Sequence, residues 1–184
     1  MTRGLCRINT DIVNECTTGS PETSAALRAA IDRADTLDAA LLAVVQTIAP
    51  NVPALLRASV RVVADDDPTQ VEIAALWSAV PTDLTVGLRM PVRSTSLPDV
   101  TLSGRPELRE YVTDDTGLLD AIVHDEGVRS FVSLPLRRAS HIVGLLSFSS
   151  SHARAFALTD LPLLVEAADL VSARLAQTGP AAQG

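Results

Sequence analysis

Few residues in this chain are of a type that does covalent or metal chemistry. It holds two cysteines and three histidines. Cys6 and Cys16 both fall in the opening segment, outside any periodic stretch and at no metal-binding spacing. They read as reduced thiols, as in a cytoplasmic protein. His141 and His152 fall in a turn and a loop, and no two histidines stand at metal-ligand spacing. His124 follows Asp120 at helical i, i+4 spacing, where imidazole and carboxylate can pair. The sequence has no serine nucleophile elbow and no phosphate-cradling glycine loop. The run Asp65-Asp66-Asp67-Pro68 lacks the later oxygen ligands of a calcium loop and reads as a solvated turn. With no nucleophile, base pair or metal set in view, the expectation is that the chain is not an enzyme.

The bulk numbers narrow the class. A chain of 184 residues suits one domain with a substantial core. Hydrophobic residues make up 47% but aromatics only 3%, so Leu, Val, Ile and Ala must fill that core. A net charge of −7 argues against nucleic acid as a direct partner, because phosphate binding needs a concentrated basic surface. All 15 basic residues are arginine, which fits a GC-rich, actinobacterial coding bias. No apolar run approaches the ~18 residues of a membrane span, so no membrane partner is expected.

The elements follow from periodicity. Residues 1–19 read as an irregular leader, 20–178 as a single domain and 179–184 as a tail. Ser20 with Pro21 and then Thr36 announce two helices. Residues 55–66 and 69–79 read as paired strands across the aspartate turn. Short strands are expected at 86–92 and 108–114, a short helix at 96–104, and a helix at 117–127 closed by Gly127. The stretch "GVRSFVSLPLRRASHIVGLLSFSS" reads as a central hairpin, with strands at about 129–138 and 141–150. Ser130, Val132, Leu134 and Leu136 share one face of the first strand. In the second, Val143 and Leu145 share one face, and Ile142, Leu146 and Phe148 the other. Pro135 should end or bulge its strand, and Gly144 should mark a close backbone approach. The turn arginines Arg137 and Arg138 read as solvated surface. A final helix over 159–177, capped by Thr159, carries an apolar stripe through Leu161, Leu164, Ala168, Val171 and Leu175.

From residue 127 onward the order of motifs resembles the GAF family of small-molecule sensor domains. The resemblance rests on Gly127-Val128-Arg129-Ser130, Pro135-Leu136, the turn through Ser140, Ile142-Val143-Gly144-Leu145-Leu146, and then Phe156 and Asp160. It implies an α+β fold with a central, mostly antiparallel sheet of five or six strands. The terminal helices would pack on one face, with short helices and loops over the other. It also implies a sensor that binds a small molecule and signals through its terminal helices to a partner or a fused output domain. The family layout places Trp77, Ser96, Val100, Tyr111, Leu119, His124, Ser130 and Val132 near the cavity. Haem-binding sensors of the family ligate iron through a histidine shortly before this strand, which makes His124 the candidate for a gas or redox sensor. The reductase and bilin-binding branches need pocket cysteines, and none follows residue 16. The cyclic-nucleotide branch needs an Asn-Lys pair, and the chain has no lysine. The ligand and any cofactor stay open. A homodimer through the terminal helices is expected, because their stripes exceed what one sheet face needs, and an alternative reading is a homodimerisation or protein-interaction module with a vestigial pocket.

Overall fold

Two hydroxyl caps start the helices that open the domain. Ser20 accepts the Thr23 amide at 3.3 Å ahead of α1 (Pro21–Asp32), and Thr36 accepts the Ala39 amide at 3.1 Å ahead of α2 (Leu37–Ile48). The structure is a computed structural model describing residues 20–112 and 127–177. The leader, the C-terminal tail and most of the helix expected at 117–127 lie outside the described residues.

Beyond α2 come β1 (Leu55–Ala64), β2 (Asp67–Ser78), β3 (Arg89–Pro91), α3 (Leu97–Ser103) and β4 (Glu107–Arg109). The hairpin β5 (Ser130–Arg138) and β6 (His141–Ser150) follows, then α4 (Leu161–Gln177). The six strands form one sheet in the order β3-β2-β1-β6-β5-β4, with antiparallel pairing throughout. The hairpin thus does not stand alone. Its second strand lies against β1, which becomes a central strand.

The terminal helices cover one face of this sheet. Leu27 of α1, Leu41, Val44 and Ile48 of α2, and Leu164, Ala168 and Val171 of α4 meet Ala58, Val60, Leu134, Leu146 and Phe148. Each large apolar side chain buried here contributes roughly 1.5–3 kcal/mol. This corrects the expectation that the helix stripes exceed what the sheet needs: Leu164 and Val171 are buried in the chain's own core. Phe156 packs into the same core, and the Asp160 carboxylate accepts the Ala157 amide at 2.8 Å. That capping bond comes from one residue beyond Thr159.

Three backbone details set the other face. Gly144 lies where β1 comes closest: a Cβ there would collide with the Arg61 carbonyl oxygen and stand 3.0 Å from Val62 Cα. Between β5 and β6 the register slips after Leu136, so that Arg137 pairs with Ile142. The break expected at Pro135 therefore comes one residue later, as a bulge around Val143. It also turns Ile142 away from Leu146 and Phe148, to pack with Val71, Leu97, Val100 and Leu145 instead. Arg137 is not solvated surface as expected. Its guanidinium donates to the Gly104 carbonyl at 2.8 Å and its amide donates to the Ser172 hydroxyl at 2.9 Å. These bonds tie the end of α3 and the middle of α4 to the hairpin. The aspartate turn is also braced, because Arg89 bridges Asp66 and Glu72 at 2.9 Å each.

Candidate ligand-binding cleft

From Arg57 to Val63 β1 alternates. Ala58 and Val60 face the helices, so Arg57, Ser59 and Arg61 face the other way. On an edge strand that polar row would lie in water. Here β2 and β6 flank it, and Arg57 is only 3% and Arg61 only 8% exposed. Ser59 is buried between them.

The register extends this row across the sheet. Ser59 stands opposite Ser147, and Ser147 opposite Ser133. The Ser133 and Ser147 hydroxyls lie 3.0 Å apart, and Ser133 donates to Ser96 Oγ, at the start of α3, at 3.4 Å. Together these groups line a cleft of about 30 Å³, with Phe131 and Ser149 beside them. A polar space of that size holds a water or two. Val71, Leu97, Val100 and Leu145 form a separate apolar group outside the lining.

The electrostatics are one-sided. Burial pulls the Arg57 guanidinium below the ordinary arginine range. Burial, and then the Arg57 charge, pull Arg61 down to about 10. Both are still cations at neutral pH. Arg61 Nε is buried with no hydrogen-bond partner among the described residues. No described residue lining the cleft is acidic. Glu107, opposite Ser133 on β4, is held at 2.6 Å by Arg109 and lies outside the lining.

Of the eight residues suggested by the sequence six are described, and these disperse over the molecule. Ser96 lines the cleft, whereas Val100 is buried in an apolar group outside the lining. Trp77, paired with Ala58, and Val132 face the helix side. Ser130 is buried, donating to the His152 carbonyl at 2.6 Å and accepting the Ala155 amide at 3.3 Å. It holds the loop after β6. Tyr111 is 50% exposed, with the Arg154 guanidinium 4.9 Å from its ring centre. Leu119 and His124 lie outside the described residues, and so does the haem reading of His124. Sequence reasoning missed Arg57, Ser59, Arg61, Ser133 and Ser147. The available signal was the Arg-x-Ser-x-Arg alternation inside an otherwise apolar strand.

A helix-backed antiparallel sheet with a small polar cleft on its free face places the chain among the α+β domains. Within that class, the chain belongs to the GAF domain family, whose model matches residues 30–176. The GAF domain of an Acinetobacter phosphoenolpyruvate-protein phosphotransferase superposes with a TM-score of 0.68 at 13% identity, over 85% of this chain and 92% of that one. The free methionine-R-sulfoxide reductase of Staphylococcus aureus, in complex with substrate, gives 0.65 at 13% identity, over 86% and 97%. The chromophore-binding domain of a bacteriophytochrome from R. palustris gives 0.65 at 9% identity, over 85% of this chain and 60% of that one. A search of curated proteins finds no match.

The reductases correct one expectation. The sequence argued that the chain is not an enzyme, yet enzymes from Staphylococcus aureus and Thermoplasma acidophilum share its fold at 12–16% identity. Membership of this fold does not exclude catalysis. Among the described residues no helix is long and apolar enough to cross a membrane.

Proposed function

We propose that the chain is a regulatory ligand-binding module: a small molecule enters the cleft between the outer sheet face and α3, and the terminal helices carry the signal to a partner or a fused output domain. The observation that carries this reading is the composition of the cleft. A sheet face covered only for packing is apolar, whereas this one buries Arg57, Ser59, Arg61, Ser96 and Ser133. Buried polar groups of this kind are costly unless something satisfies them. The route outward is short. β1 and β6 carry the cleft on one face and the helix-packing residues Ala58, Val60 and Leu146 on the other.

The test is a thermal-shift panel of nucleotides, haem, amino acids and small organic acids on the intact chain. A ligand at 100 times its Kd adds about 2.7 kcal/mol by mass action. In a domain this size that is a rise of roughly 5–10 °C. Ser147→Leu, which fills the cleft, should fold and lose the rise. A panel without any rise, or a rise that survives Ser147→Leu, contradicts the reading.

A further inference from the structure

Resting on that reading of the cleft, we infer that its ligand carries an oxyanion, a carboxylate or phosphate group, received by Arg61 and the hydroxyls beside it. The geometry supplies three independent reasons. First, Arg61 is more than nine-tenths buried, lines the cleft, and keeps its Nε without a hydrogen-bond partner among the described residues. A guanidinium is a planar fork of donors with no acceptor, matched in shape to two oxygens of one anion. Second, the hydroxyls of Ser59, Ser96, Ser133 and Ser147 line the same cleft. Hydroxyls rotate to donate, so they suit oxygens that Arg61 cannot reach. Third, no described residue that lines the cleft is acidic. The field in the recess is positive, although the chain as a whole carries −7. That combination repels cations locally and draws an anion out of a net-repulsive surrounding surface.

A neutral ligand leaves the Arg61 charge buried and unanswered, and a cationic one adds a like charge beside it. An oxyanion answers the charge and the empty Nε together. Hydrogen bonds from a charged donor to a charged acceptor are also the strong ones. Arg61 is further fixed from behind: Gly144 lets the β6 backbone approach the Arg61 carbonyl without a side chain between them.

The test titrates the intact chain with two probes, inorganic phosphate and sodium acetate, at ionic strength held constant with sodium chloride. Binding is read by calorimetry and by melting temperature. At least one probe should bind saturably. Arg61→Met should weaken it by tenfold or more, and Arg61→Lys, which keeps the charge but loses the fork, by a smaller factor. Glycerol, the neutral control, should not bind. The phosphate and acetate arms separate the two headgroups. If Arg61→Met fails to fold, Arg61→Lys and the Ser133→Ala/Ser147→Ala double variant carry the same comparison. The inference is overturned if neither probe binds, or if the bound probe is indifferent to Arg61→Met and Arg61→Lys alike. A neutral compound from the thermal-shift panel that binds wild type, is lost with Ser147→Leu and survives Arg61→Met overturns the oxyanion while leaving the cleft reading intact. A panel without any rise overturns both.

Discussion

Replacing Arg61 by methionine should stabilise the ligand-free protein. The side chain is 8% exposed, and burial together with the Arg57 charge lowers it to about 10. At about 1.4 kcal/mol for each tenfold change, the fall from an ordinary arginine corresponds to roughly 3 kcal/mol held against the fold. Methionine keeps much of the apolar stem and removes the charge, and such exchanges of buried ions are often neutral or stabilising by about 1–4 kcal/mol. The expected gain is therefore roughly 1–3 kcal/mol, or about 3–10 °C in melting temperature. The sign with pH follows from linkage. The folded value lies below the unfolded one, so the unfolded chain holds the extra proton and this group's contribution improves only as pH rises above about 10. The gain should thus be constant from pH 5 to pH 9. Thermal and urea unfolding of both proteins in an anion-poor buffer measure it. A loss of more than about 1 kcal/mol on substitution would refute the reasoning, because it would mean that Arg61 is satisfied internally.

Other substitutions probe the frame around the cleft. Gly144→Ala places a methyl against the Arg61 carbonyl and should cost at least about 1–3 kcal/mol in urea unfolding; an unchanged midpoint would show that the strands part easily there. Ser130→Ala strips a partner from both the His152 carbonyl and the Ala155 amide and should cost about 1–3 kcal/mol, with faster amide exchange confined to residues 151–156. Leu164→Ala should cost about 2–5 kcal/mol, and Val171→Asp should unfold the chain instead of separating subunits, as circular dichroism and light scattering together report. Asp160→Ala removes the bond to the Ala157 amide and should cost about 1 kcal/mol.

The elements were legible in the sequence because each rests on local chemistry. Ser20 and Thr36 cap where their side chains predict, and the hairpin at 130–150 carries its turn between two β-rich runs. What was not legible depends on neighbours far along the chain. An Arg-x-Ser-x-Arg row looks like the wet side of a half-buried strand until the strand order places β1 between β2 and β6. Only then does the row become a buried floor. Trp77 and Val132 were grouped with Ser96 because strand parity alone does not say which face the helices take. Ile142 changed sides through a single bulge, a one-residue event that an alternating pattern does not disclose. The fold was thus carried by local signals, and the cleft by strand order and register.

The most direct measurement follows the arginine Nε–Hε signals by NMR during a titration with inorganic phosphate or acetate at constant ionic strength. The chain has 15 arginines, which serve as internal controls for one another. The account predicts that the Arg61 signal, with that of Arg57 beside it, moves saturably and far more than the exposed arginines such as Arg28, Arg93 and Arg138. A uniform drift of all the signals, or an Arg61 signal that does not move with either anion, would contradict it.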